Sequence, residues 1–308
     1  MELSIDRPET KRLFLDLAAE CDTKVILMPD KPEETVETNV WALWLRAAGI
    51  PISGENAMTV PLPELSAEQL MVLKSLLEQR MLGMPLAYLT GLQYFMGLEF
   101  ICTKDALIPR KETEILANAA IELLKKELSL HKNPRVLDLC CGSGNVTIAI
   151  ATHVPSCSVI GADLSAKAVH LANDNARELG CADRVTFCAG DLFAPIDSKE
   201  YYGFFDLITC NPPYISTRKL ASLPVESIGY EPKLAFDGGP LGVGVLWRLL
   251  DQAPRFIKPG GWLAFESGLA QGPGMLRRMA KMAQYKNVSS VCDKAGNPRT
   301  ILGQVTGS

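Results

Sequence analysis

A hydrophobic run, Leu207-Ile208-Thr209-Cys210, stops at Asn211-Pro212-Pro213-Tyr214. A polar amide, two residues without N–H groups and an aromatic ring thus close what reads as a core strand. Ends of parallel strands are where α/β proteins place ligands. These residue types suit the chemistry of planar nitrogens. In an amide or an exocyclic amino group the lone pair is delocalised, so the nitrogen is a poor nucleophile. Two acceptors holding both N–H bonds would orient that nitrogen and favour localised lone-pair density. The side-chain oxygen of Asn211 and the backbone carbonyl of Pro212 can be those acceptors. Pro212 and Pro213 stiffen the segment, which preorganises them, and the ring of Tyr214 offers a flat face to a planar group. Asn-Pro also opens many ordinary turns, so the segment gains chemical meaning only beside a group donor.

A donor site is legible upstream. RVLDLCCGSGNVTIAIA, residues 135 to 151, reads as strand, glycine turn and helix, a unit that brings backbone N–H groups close to a ligand. The next strand ends at Asp163, where an acid would accept hydrogen bonds from a ribose diol. The third glycine of a dinucleotide fingerprint falls on Thr147, so that match fails. No G-x-x-x-x-G-K-[ST] occurs either. Asp138, just before the turn, would repel a phosphate and suit a cation. S-adenosylmethionine carries a ribose, an ammonium group and a sulfonium, and no phosphate, so it is the expected cofactor. Transfer from a sulfonium can be direct displacement, with the proton leaving afterwards. Asp191, in AGDLF, is placed either for the adenine or as a helix N-cap, and Leu192 is placed to pack on the adenine face. The expected chemistry is N-methylation.

These residues need a sheet to position them. From residue 112 the pattern alternates: a helix over 112–128, a strand over 135–139, a helix over 145–153, a strand over 158–163, a helix over 165–179 and a strand over 184–188 precede the strand ending at Asn211. A helix over 243–257, a strand over 261–266, a helix over 271–283 and two closing strands near 287–293 and 299–305 complete the tail. Such alternation predicts βαβ units and a parallel sheet covered on both faces. Residues 85–110, rich in aromatics and glycines, predict short strands and turns of a β-hairpin-type connector. The first 84 residues predict a small helical domain: Arg7 to Glu20, Thr38 to Ala48, and a helix opened by the capping-box sequence Ser66-Ala67-Glu68-Gln69, whose apolar face runs Leu70, Leu73, Leu77 and Met81. A Pro-rich loop from Pro51 to Pro63 separates the last two.

Composition narrows the class. In 308 residues, 47% are hydrophobic and 21% charged, which fits a globular protein with a sizeable core. A net charge of −4 disfavours a broad nucleic-acid surface. MELSIDRPETKR lacks the apolar core of a signal peptide, and no apolar run approaches the roughly 20 residues of a membrane span. Nine cysteines without CxxC spacing suit free thiols in a reducing compartment, and His131, His153 and His170 are too isolated to suggest a metal site. A cytoplasmic, metal-free enzyme is expected.

The chain resembles the HemK/PrmC-type glutamine methyltransferases, which modify the GGQ glutamine of peptide-chain release factors. The resemblance runs through GMPLAYLTGLQYFMGLEF, LIPRKETEIL, the glycine turn, GADLSAKAVHLANDNA, NPPYIS, YEPKLAFDGGPLGVGVLWRLL, KPGGWLAFESGLAQG and DKAGNPRTILG. It implies an α/β fold: a Rossmann-like, seven-stranded class I methyltransferase domain over 111–308, with a small N-terminal helical domain over 1–84 for substrate recognition and the connector over 85–110. It also implies that Cys140, Cys141, Gly142, Ser143, Gly144, Asp163 and Leu164 bind S-adenosylmethionine, that the product is S-adenosylhomocysteine, and that Asn211, Pro212, Pro213 and Tyr214 hold the glutamine amide, with Asn211 touching the cofactor as well. That family usually has glycine where this chain has Cys140 and proline where it has Lys111. WALWLRAAGIPISGENAM also departs from its usual second-helix region. Rival expectations are a relative that methylates a small molecule, an adenine-amino methyltransferase of DNA or RNA, and a binding protein that has lost catalysis.

Overall fold

The computed structural model describes residues 5, 7–126, 128 and 132–307; His131 lies outside them. The chain forms two compact units, one of Met1–Lys104, Ile108–Lys111 and Pro224–Glu231, the other of Asp105–Leu107, Glu112–Leu223 and Pro232–Ser308.

The first unit is built from α1 (Pro8–Asp22), α2 (Val36–Ala47), α3 (Gly54–Ala57), α4 (Ala67–Met81) and α5 (Leu86–Thr90), followed by the antiparallel hairpin β1 (Leu92–Phe95) and β2 (Leu98–Ile101). Ten of the twelve residues of helix α2 are buried, and the two that are not are the charged Glu37 and Arg46, as expected of a helix at the centre of a core. Its indoles tie down the Pro-rich segment: Trp41 Nε1 donates to the Val60 carbonyl at 2.8 Å and Trp44 Nε1 to that of Pro63 at 2.9 Å. Ser66 and Gln69 cap α4 reciprocally, as expected. Two short helices before residue 91 were not expected. α3 interrupts the Pro51–Pro63 loop, and α5 occupies part of the connector because Pro85 leads into it and Gly91, at φ +86°, stops it.

Charge is sealed inside this unit. Arg80, 1% exposed, donates to Asn39 Oδ1 (2.6 Å), Met84 O (3.1 Å), Glu34 Oε2 (3.0 Å) and Glu226 Oε2 (2.7 Å). Lys31 pairs with Glu226. Arg110 donates to Glu231 Oε1 at 2.5 Å and to Asp30 Oδ2 at 3.0 Å, and the Ile108 N–H to Glu231 Oε2 at 3.0 Å. Only such pairing and hydrogen bonding make buried ions tolerable.

The second unit runs α6 (Glu114–Lys126), β3 (Arg135–Leu139), α7 (Asn145–His153), β4 (Ser158–Asp163), α8 (Ala166–Glu178), β5 (Val185–Ala189), β6 (Phe205–Cys210) and α9 (Thr217–Leu220). Helix α10 (Val225–Tyr230) lies in the segment counted with the first unit. Then come α11 (Gly244–Gln252), β7 (Ile257–Glu266), α12 (Gly272–Ala280), β8 (Tyr285–Cys292) and β9 (Pro298–Val305). The seven strands lie in the order β5-β4-β3-β6-β7-β9-β8. Neighbours from β5 through β7 are parallel, and β9 is antiparallel to both β7 and β8. This is the seven-stranded fold expected. Every residue of β6 is buried, the mark of a central parallel strand covered on both faces.

The tail corrects one boundary. The helix expected over 243–257 ends at Gln252, a 3₁₀ turn follows, and β7 begins at Ile257. Pro254 lacks the N–H the helix would need, and Ile257 instead pairs with Phe205 at the start of β6.

Candidate active site

The strand order reverses between β3 and β6: the chain builds outward from β3 to β5, then returns to β3's other side. At such a switch point the loops leaving the two strands diverge and open a crevice at their carboxyl ends. Leu139 and Cys210 are register partners. The residues that follow them, Cys140 and Asn211, therefore leave the sheet side by side. The topology brings together the two segments that sequence reading singled out.

The turn after β3 is held by backbone geometry and one carboxylate. Cys140 sits at φ +57°, Gly142 at +53° and Gly144 at +82°. A left-handed conformation is natural for glycine and strained for cysteine, so Cys140 holds the turn at a conformational cost that glycine there would not carry. Gly144 is doubly constrained, because a Cβ there would come within 3.0 Å of Phe187 and 3.1 Å of Ala172. Gly142 faces open space instead. Its N–H donates to Asp163 Oδ2 at 2.8 Å, and Asp163 Oδ1 accepts from the Ser165 N–H at 2.8 Å. A carboxylate has about four lone-pair sites, so Asp163 keeps capacity for a diol. Burial raises its pKa against the pull of those two N–H groups, and further donors would pull it back down. Asn175 donates from α8 to the Ser143 carbonyl at 3.0 Å, while the Ser143 hydroxyl is buried without a partner among the described residues. An open backbone turn, an acid with spare acceptors and a buried hydroxyl in want of a partner fit a small ligand rich in hydroxyl groups. Leu164, 54% exposed, stands beside them.

Asp138 has a different place from the one expected. It is 1% exposed, and its oxygens accept from Thr147 Oγ1 at 2.6 Å and Thr209 Oγ1 at 2.7 Å. Burial lifts its pKa to about 6 despite both hydroxyls. It stitches β3, α7 and β6 together beneath the turn, and Thr147, the failed third glycine, is one end of that stitch. Asp191 serves neither as a helix cap nor in the interior: it is half-exposed and pairs with Arg248 at 2.8 Å. Leu192, at φ +48°, is packed into the core with Phe193 and Ile196.

Beyond β6, a web of side chains holds the Asn211–Tyr214 segment at both ends. Asn211 Nδ2 donates to Thr113 Oγ1 at 3.1 Å. The Tyr214 hydroxyl contacts Glu112 Oε1 at 3.0 Å and Glu266 Oε1 at 3.1 Å, and Arg299 pairs with Glu112 at 2.6 Å. Burial, then the charge of Glu112, drives the Glu266 pKa to about 7; burial likewise pushes the Tyr214 phenol well up. Gln271 Nε2 donates to the Tyr214 carbonyl at 2.9 Å and the Gly242 carbonyl at 3.0 Å. Gly242, at φ +70°, permits this close approach, since a Cβ would strike the Tyr214 carbonyl.

Glu112, Thr113, Glu266, Gln271 and Arg299 were not among the expected site residues. All lie in LIPRKETEIL, WLAFESGLAQG or NPRTILG, stretches already set apart by resemblance, and that was the available signal. Lys111 pairs with Glu55 at 3.2 Å and lies 5.3 Å above the Tyr94 ring. Among the described residues no group of three or more His, Cys, Asp or Glu side chains is gathered to hold a metal, and no helix is long and apolar enough to cross a membrane.

Comparison with known proteins agrees with this architecture. The methyltransferase domain family matches residues 130–303. The release factor glutamine methyltransferase of Moorella thermoacetica is 38% identical over 226 residues, 73% of this chain and 77% of its own. That of Geobacter sulfurreducens is 33% identical over 262 residues, 85% and 88% of the two chains. Among solved structures, the catalytic domain of hMettl16 in complex with an RNA hairpin is similar in fold, with a TM-score of 0.54 at 14% identity over 76% of this chain and 84% of its own.

Proposed function

The chain belongs to the release factor glutamine methyltransferases, and from that membership we propose that it methylates the side-chain amide nitrogen of the GGQ glutamine in a peptide-chain release factor. The methyl donor in this reading is S-adenosylmethionine, which supplies an electrophilic methyl group on a sulfonium and leaves as S-adenosylhomocysteine. The observation that carries the reading is the placement of Asn211 beside the glycine turn at the switch point, with its Nδ2 already engaged by Thr113.

The chain's own residues then divide the work. The turn from Cys140 to Gly144 offers backbone N–H groups, and Asp163 accepts from the ribose diol. Asp138 serves from below, as the brace of the turn. Asp191, Leu192 and Leu164 are the nearest candidates for the adenine end. Asn211 Oδ1 and the Pro212 carbonyl accept the two N–H bonds of the glutamine amide, which fixes the nitrogen and opposes its delocalisation. Pro213 and Tyr214 keep those acceptors in place, so little reorganisation is needed on binding. The protonated amide formed by displacement is a strong acid and gives its proton to water without a dedicated base. Residues 1–84, with the connector over 85–110, recognise the protein substrate, and residues 111–308 carry catalysis. All nine cysteines are free, which suits action in the cytoplasm.

Labelled methyl transfer to purified release factor, with a GGQ→GGA control and a small-molecule extract in parallel, tests the reading. Label on the release factor, lost in the control, is expected. Label confined to the extract would mean that the chemistry has been kept for another acceptor. Asn211→Ala is expected to abolish transfer while S-adenosylhomocysteine still binds.

A further inference from the structure

An amide side chain has two ends of nearly equal size and opposite hydrogen-bonding sense. If Asn211 turned its NH₂ toward a substrate NH₂, donor would face donor and one of the two acceptors would be lost. Something must therefore choose the end. Thr113 Oγ1 lies 3.1 Å from Asn211 Nδ2 and is the one hydrogen-bond partner this side chain has among the described residues.

Thr113 is itself fixed. It is 2% exposed and closes the short 3₁₀ turn Lys111–Thr113 ahead of α6. Its hydroxyl lies near enough to Glu266 to pull that carboxyl's proton affinity down, so its own proton has an acceptor and its lone pair is left for Asn211. The residue before it, Glu112, takes the Tyr214 hydroxyl at 3.0 Å and is anchored by Arg299 at 2.6 Å. Two adjacent side chains thus hold the first and last residues of the four-residue segment.

We propose that Thr113 is a positioning residue for the methyl-transfer step: its hydroxyl oxygen captures Asn211 Nδ2 and turns Oδ1 toward the acceptor amide. The role acts through Asn211 and rests on the function proposed above. It concerns orientation, so it should change kcat and leave binding alone.

The test compares Thr113→Val and Thr113→Ser in steady-state methylation of release factor, with S-adenosylhomocysteine affinity and melting temperature measured on each. Thr113→Val keeps the shape and removes the hydroxyl. It is expected to lower kcat about 10- to 100-fold, less than the roughly 100- to 1,000-fold that loss of a preorganised group touching the reacting atoms costs, with KM for release factor and cofactor affinity within about twofold. Thr113→Ser restores the hydroxyl and should recover kcat to within about threefold. If the valine chain does not melt as the parent does, Thr113→Ala takes its place under the same criteria. A double-mutant cycle with Asn211→Asp adds a readout that plain packing would not move. A carboxylate has no wrong end, so the Thr113→Val penalty should shrink in that background. Full kcat in Thr113→Val, or a serine variant as slow as the valine one, would overturn the proposal. The unsubstituted enzyme separates the two levels: failure to label any GGQ substrate sinks the function and this role with it, whereas an indifferent Thr113→Val beside an active parent sinks the role alone.

Discussion

Replacing Glu266 with glutamine should remove a pH dependence from the stability of the catalytic unit. Glu266 is 1% exposed, and burial moves its pKa from 4.5 to about 7, with the charge of Glu112 adding to the rise and Thr113, Arg299 and Tyr214 opposing it. Below pH 4.5 the carboxyl is protonated in both the folded and unfolded chain, so stability is unaffected. Between 4.5 and 7 the unfolded chain releases a proton that the folded chain keeps, and stability falls as pH rises; above 7 the loss is complete. At about 1.4 kcal/mol per pH unit the difference is worth about 3 kcal/mol, or roughly 6–12 °C in Tm for a unit of this size. Glutamine keeps the shape and an oxygen for the Tyr214 hydroxyl. It also puts an NH₂ where Oε2 has no partner among the described residues, at a pH-independent cost of about 1–3 kcal/mol. The slope therefore decides, and the offset does not. Thermal unfolding from pH 4.5 to 8, followed through Trp262 in β7, should show wild type losing stability steeply and Glu266→Gln losing about 3 kcal/mol less over that range. Asp138, with its pKa near 6, contributes equally to both curves. Curves that run parallel across the range would refute the reasoning.

Other changes test neighbouring parts of the structure. Cys140→Gly relieves the strain of φ +57° but loosens the unfolded chain, so urea unfolding should place it within about 1 kcal/mol of wild type, whereas Cys140→Val should cost about 2–3 kcal/mol. Arg80→Met leaves Glu34 and Glu226 sharing Lys31 in the interior and should destabilise the first unit by about 3–5 kcal/mol, read from the fluorescence of Trp41 and Trp44. Asp163→Asn sets an NH₂ against the Gly142 or Ser165 N–H and should weaken S-adenosylhomocysteine binding about 10- to 100-fold by calorimetry, the worth of a charge-assisted hydrogen bond.

Local pattern carried most of the catalytic unit into view. The alternation of apolar runs with amphipathic helices placed β3 through β6 to within a residue or two, because each segment is buried or capped by its own neighbours in sequence. The glycine turn and the Asn-Pro-Pro-Tyr segment were legible for the same reason. What escaped was long-range pairing. Thr113 and Asn211 are 98 residues apart, and Tyr214 and Glu266 are 52 apart; nothing local marks either pair. Asp138 was seen as a charge before a turn, and only the register of β3 with β6 shows that Thr209 takes up one of its oxygens. Leu192 was read from its neighbours in sequence as facing a ligand, and that it also packs with Phe193 and Ile196 shows only in the fold. The short helices α3, α5, α9 and α10 were missed because helices of four to six residues have no room for a period.

The return of Pro224–Glu231 to the first unit has a consequence for how the chain is born. On the ribosome, Lys31, Arg80 and Arg110 emerge long before Glu226 and Glu231. The chain position of Pro224 is 113 beyond that of Lys111, a delay of about 6–23 s at ordinary rates of synthesis. During that interval, among the described residues, Glu34 is the one carboxylate that Lys31 and Arg80 share, and Asp30 the one that Arg110 has. The amino-terminal unit thus cannot complete its interior cotranslationally from its own first residues. It must wait for the stretch that follows the catalytic segment, and for the same reason it is not a module that can be excised or exchanged by cutting the gene near residue 110.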